Sequence, residues 1–220
     1  MGATRPVAEV RGTPTRLLQA AERLFAERGI DAVSLREITR ESGARNAIAL
    51  QYHFTDRAGV VAAIVAKHEP GIEAARHALL DEYEESSAAG VELRPLAAAL
   101  VRPLAAKLSD PDGGPEYLRI QADLLSRPRP ALGDRWRTDP ANSMFRWRAL
   151  VDPFLTEESI RLHRRFTALL HTAVELGRRA AGGPHTDDRL FVSHLTDVAT
   201  AILGGPVSDE TRRLIRPRRR

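Results

Sequence analysis

In 220 residues, 33 basic side chains are set against 29 acidic ones, so the formal charge is only +4 and any surface for a polyanion must be local. Cysteine is absent, which removes disulfides, thiol catalysis and thiolate zinc sites together and suits the cytoplasm, the compartment expected here. No apolar run approaches the ~20 residues of a membrane span, and the leading MGATRPVAEVRG lacks the apolar centre of a secretory signal.

Apolar residues recur at helical spacing along the chain and no stretch alternates as a strand would, so the expected fold class is all-α. Residues 1–12 read as a flexible arm. A helix-turn-helix unit is expected over 13–55. Leu17, Ala21, Leu24 and Phe25 mark its first helix, with Thr13 as cap, Pro14 in the first turn and Gly29 at the end. Ser34 and Glu37 form a capping box at the head of the second helix, whose Leu35 and Ile38 turn inward, and Gly43 closes it. Asn46 caps a third helix running toward Phe54. Asp56 caps a fourth, a connecting helix over 56–69, expected to break near Pro70 because proline disfavours a helical residue before it.

Further helical stretches at 71–85, 93–108, 116–126, 143–154, 157–181 and 187–203 make 70–215 a larger helical domain. RPRPALGDRWRTDPAN at 127–142 reads as a loop, and RPRRR at 216–220 as a solvated basic tail.

Three helices in about forty residues, with a glycine turn before the last, is the helix-turn-helix plan. At 100° per residue Ala47, Leu50 and Phe54 share one face of the third helix and can pack on Phe25, Leu35 and Ile38. Arg45, Ile48, Ala49 and Tyr52 take the other, with Gln51 on a flank. A face entering the major groove can use all of them, since Ile and Ala touch a thymine methyl while Arg reaches guanine O6 and N7. The other reading of the same residues is that Ile48 packs on a neighbouring helix and Arg45 is an ordinary surface arginine.

The stretch TPTRLLQAAERLFAERGIDAVSLREITRESGARNAIALQYHFTDRAGVVAAIV resembles the N-terminal domain of the tetracycline-repressor (TetR) family of bacterial transcription regulators. Ala21, Phe25 and Gly29 of the first helix, Ser34-x-x-Glu37-Ile38, Gly43 and the closing Tyr52-His53-Phe54 carry the likeness. It implies phosphate contacts for Ser34, Tyr52, His53 and Arg57, beside the base contacts that the outward face itself suggests for Arg45, Ile48, Ala49, Gln51 and Tyr52. Two departures stand out. The turn and third helix are one residue longer than the common pattern, so the family's tyrosine role is not tied to one position. Ala58-Gly59 replaces the usual acidic pair.

The resemblance also implies a homodimer on a double-stranded palindromic operator, released by a small-molecule effector, with repression as the expected role and with no catalytic residue, cofactor or metal. Apolar stripes on the last helices, Leu162, Phe166, Leu169 and Ala173 with Phe191, Leu195, Val198 and Ile202, suit a dimer interface; read without the likeness, they suit intrachain core. Tyr83, Tyr117, Phe145, Arg146, Trp147 and Phe154 are the candidates for an effector pocket, the arginine for an acid group. No phosphate loop, dinucleotide fingerprint, zinc-protease helix or nucleophile elbow recommends an enzyme. The rival from the same class is an architectural DNA-binding protein without an effector site.

Overall fold

A computed structural model of the chain describes residues 7–43, 54–86, 92–128, 135–183 and 185–215, with the backbone alone over 7–13 and at 135. The segment 44–53, which holds Arg45, Ile48, Ala49, Gln51, Tyr52 and His53, lies outside the described residues, as does the tail 216–220. Among the described residues the chain is helical and has no strand.

The first helix, α1 (Val7–Arg28), starts six residues before the expected cap at Thr13, so half of the supposed arm is helical. Val7 and Val10 extend the three-and-four spacing of Leu17, Ala21 and Leu24, and the fixed φ of Pro14 is already helical, so the proline costs one hydrogen bond and not the helix. Gly29 ends it as expected, with φ +84° and its N–H on the Phe25 carbonyl at 2.9 Å. The second helix, α2 (Leu35–Glu41), buries Ile38 and Thr39.

The third described helix, α3 (Arg57–Ser86), corrects the connecting-helix boundary: it runs 30 residues straight through Pro70. Its buried residues Ile64, His68, Ile72, Arg76 and Leu80 fall four apart, a stripe that continues across the proline. Pro70 and Ala66 both lie on the exposed side, so the carbonyl of Ala66 that loses its helical donor faces water. The loss of about 3 kcal/mol expected for a buried interior proline is thereby reduced, and packing on both sides of the proline keeps the helix whole.

The larger unit is built around α4 (Leu93–Ala105) and α5 (Gly114–Ser126), the first extended by a 3-10 turn over Ala106–Ser109. Leu96, Leu100 and Leu104 of α4, with Leu118 and Ile120 of α5, are buried. Pro103 withholds an N–H from the Ala99 carbonyl, and buried Arg76 donates its Nε to that oxygen at 3.1 Å. A proline in one helix thus creates the acceptor for an arginine in another.

Inside the segment expected as a loop, α6 (Arg135–Thr138) forms a short helical turn. It is followed by α7 (Ser143–Val151), capped by Asn142, and a 3-10 turn over Asp152–Phe154. The single helix expected over 157–181 is in fact two, α8 (Glu157–Arg161) and α9 (Arg164–Ala181), with His163 left-handed at φ 54° between them. An unbroken helix would stack Arg161 on Arg164 and Arg165 along one face, a like-charge arrangement that the break avoids. The last elements are α10 (Arg189–Gly204) and α11 (Asp209–Ile215), the second of which the sequence reading did not foresee.

Helix α9 packs on α5, α10 on α4, and α1 directly on α5 as well as on α3. At Gly177 of α9 a Cβ would come within 2.7 Å of the Ala122 Cβ, so glycine sets the closeness of the α9–α5 contact. No single helix among the described residues is long and apolar enough to cross a membrane.

Candidate nucleic-acid interface and ligand cavity

Ser34 is exposed at the head of α2 in a complete capping box. Its hydroxyl accepts from the Glu37 N–H at 3.2 Å, while Glu37 Oε2 accepts from the Ser34 N–H and hydroxyl, each at 2.8 Å. These contacts, the Ser34 backbone N–H foremost and Arg28 last, hold the Glu37 carboxyl down at about 2.

Arg57, expected to clamp a phosphate, donates through Nη2 to the Val33 carbonyl at 2.9 Å, and its Nη1 stands 3.9 Å from Asp31. The start of α3 is therefore tied to the residue before Ser34, which brings two of the expected phosphate groups together. Asp56 caps α3 by accepting from the Gly59 N–H at 2.8 Å. Gly59, which reads as a weak start to that helix, is required by geometry, because a Cβ there would overlap the Phe54 carbonyl oxygen.

Sequence reasoning passed over Arg36 and Arg40. They are exposed, one turn apart on α2, and neither forms an ion pair among the described residues. Arg23 and Arg28 are instead engaged by Glu41 and Glu37. The missed signal was i, i+4 arginines on the wet face of a helix that begins beside Ser34.

Behind this surface a polar contact joins α1 to the larger unit. Glu22 of α1 is buried, and its carboxylate meets Lys67 Nζ at 2.9 Å and His68 Nε2 at 3.0 Å. Lys67 also meets Asp112 at 2.9 Å; burial works against its charge, but the bonds to Asp112 and Glu22 prevail and its pKa is raised. The His68 ring stacks on Tyr117 of α5 with centroids 4.5 Å apart. Burial, and after it the nearby Glu69, push the Tyr117 phenol up.

Tyr117 forms part of the wall of a cavity of about 520 Å³, within the 300–1,000 Å³ range typical of small-molecule sites. Residues of α3, α5, α7 and α9 line it, and Trp136 and Arg137 of α6 close one side. Of the six effector candidates the cavity takes Tyr117 and Trp147. Buried Trp147 donates Nε1 to the Leu96 carbonyl at 2.8 Å. Tyr83, Phe145, Arg146 and Phe154 do not line it. Arg146 points to the other side of its helix, where Asp81 at 2.6 Å and Glu84 hold it, so its neighbour but one, Arg148, lies at the cavity instead. Periodicity could not choose between 146 and 148; the packing of α7 on α3 and α4 did.

The cavity also takes Phe166 and Leu169 from the expected dimer stripe. Ala173 and Leu195 are buried within the chain and cannot meet a partner, a correction caused by α9 and α10 turning that face onto α5 and α4. Val198 and Ile202 are half-buried, as is Phe191 beneath the Arg179 guanidinium, whereas Leu162 is exposed. Exposed Leu190 and half-buried Leu170 and Val174 lie on the open sides of α9 and α10. Among the described residues no group of three or more His, Asp or Glu is placed to hold a metal ion.

Residues 17–64, from α1 into α3, match the family model described as bacterial regulatory proteins, tetR family. A comparison with curated proteins gave no match.

Proposed function

We propose that this chain, whose residues 17–64 match the family model of bacterial regulatory proteins, tetR family, is a DNA-binding transcriptional regulator of that family, a repressor released from its operator by a small molecule. It works in the cytoplasm and has no catalytic step. Arg45, Ile48, Ala49, Gln51 and Tyr52 read base edges; Ser34, Tyr52, His53 and Arg57 hold phosphates, with Arg36 and Arg40 adding to the same strand. Two copies associate through the open faces of α9 and α10, setting two reading helices ~34–36 Å apart on a palindromic site.

The single observation that carries effector release is the packing of α1 on α5 and α3, the two helices that also wall the cavity. A ligand that spreads α5 from α3 shifts α1, and with it the reading helix. Coupling of this kind is worth typically 1–3 kcal/mol, about 5–150-fold in affinity. Without a cavity so placed, an architectural protein would be the equal alternative.

Selection of bound fragments from a random duplex pool tests the proposal. A palindromic consensus, followed by compounds that release it, supports a repressor. Binding with no sequence preference would return the chain to the architectural class.

A further inference from the structure

The cavity carries more positive charge than its own carboxylates offset. Four guanidiniums line it, those of Arg76, Arg137, Arg148 and Arg165, against Glu69 and Glu73. Arg76 is satisfied at the floor by Glu73 at 3.4 Å, Ser143 Oγ at 2.8 Å and the Ala99 carbonyl. Arg165 pairs with Asp152.

Arg137 and Arg148 have no carboxylate partner among the described residues. Both lie against the Trp136 ring, 5.8 and 5.0 Å from its centroid. Arg148 and Arg165 are close enough to repel: burial first, and then Arg148, lower the pKa of Arg165. At the same end the Trp136 Nε1 is buried without an acceptor. A buried donor left unpaired beside two uncompensated cations costs free energy that an anionic oxygen would recover. The lining also has an apolar part, with Leu104, Leu125, Trp147 and Leu169. Gln121, in the same lining, has its Oε1 buried without a partner.

We infer that the cavity binds an amphipathic organic anion, a hydrophobic carboxylic acid in its ionised form, whose carboxylate sits at the corner made by Trp136, Arg148 and Arg165. Its body lies along the apolar part of the lining, and a hydrogen-bond donor on that body meets Gln121. The inference names the chemical class of the effector and rests, for its regulatory meaning, on the repressor reading above.

Both tryptophans of the chain, Trp136 and Trp147, line the cavity, so intrinsic fluorescence of the full-length protein reads its occupancy directly. Dodecanoate and its neutral counterpart dodecanamide are titrated below their aggregation limits. The acid is expected to bind about tenfold tighter or better. In Arg148→Met and Arg165→Met that preference shrinks several-fold while dodecanamide binds as before, which also shows that the variants fold.

Equal affinity for the two probes in the unaltered protein, failure of dodecanoate to change the fluorescence, or a preference undiminished in both variants overturns the inference. Operator release is measured separately. A charge preference without release keeps the carboxylate site and sinks the effector reading. Release by neutral compounds without the preference does the reverse.

Discussion

His68 Nε2 lies 3.0 Å from Glu22 Oε1, with each side chain only 2% exposed. The two join separate parts of the fold: Glu22 stands on α1, within the stretch 17–64 that matches the family model, while His68 stacks on the cavity-wall residue Tyr117. Buried polar pairs make poor general stabilisers but define one arrangement sharply, because each partner is costly to leave alone. A carboxylate at position 22 thus fixes where α1 docks on α3 and α5.

Removing that carboxylate should be expensive. Glu22→Ala strands His68 and takes one of two anions from Lys67, which keeps Asp112. We expect a loss of roughly 3 kcal/mol, the lower end for breaking a buried ion pair, measured by urea unfolding. His68→Phe keeps the stack on Tyr117 and the Glu22–Lys67 bond, and should cost less. An unchanged midpoint in Glu22→Ala would remove the docking role.

Base and phosphate contacts should separate in binding assays. Arg45→Ala and Ile48→Ala are expected to erode discrimination among operator variants, by about 1–3 kcal/mol for a bidentate arginine. Arg57→Ala, Arg36→Ala and Arg40→Ala should weaken all sequences alike and flatten the salt dependence by about one unit each. If Arg57→Ala changed base preference and Arg45→Ala did not, the roles would be reversed.

The capping box at Ser34 predicts a dependence on acid. The Glu37 carboxyl is lowered from 4.5 to about 2, so its contribution to stability is present above about pH 4.5 and drains away as pH falls toward 2. Glu37→Gln should therefore unfold more easily than the unaltered protein near neutrality and converge with it in strong acid. Urea midpoints across that window measure it; coincident curves throughout would show that the box adds nothing.

Gly177 offers a test of packing against propensity. In an isolated helix Gly→Ala stabilises by about 1 kcal/mol. Here the added methyl meets the Ala122 Cβ at 2.7 Å and the Leu118 carbonyl at 3.2 Å, so Gly177→Ala should lower the melting temperature. A rise would mean that α9 can move away from α5 without penalty.

The dimer face can be probed without touching the core. Val198→Asp and Leu190→Arg alter half-buried and exposed positions on α10. Sedimentation should show monomers, with operator affinity falling sharply because two linked readers become one. Dimers that persist in the double variant would move the interface elsewhere.

Sequence alone determined the helical class, the glycine ends at Gly29 and Gly43, and the caps at Ser34 and Asp56. It could do so because these depend on near neighbours: side-chain oxygens reach N–H groups two or three residues on, and left-handed glycines need no partner. The tertiary structure decided what lies beyond that range. Pro70 passes inside one helix because its orphaned carbonyl faces water and the buried stripe continues. Ala173 and Leu195 are core because α9 and α10 turn that face onto α5 and α4, a rotation periodicity cannot fix. Arg148 meets the cavity while Arg146 pairs outward, although two residues separate them. Glu22 finds Lys67 and His68 some forty-five positions away, a meeting set by helix packing and invisible to local spacing.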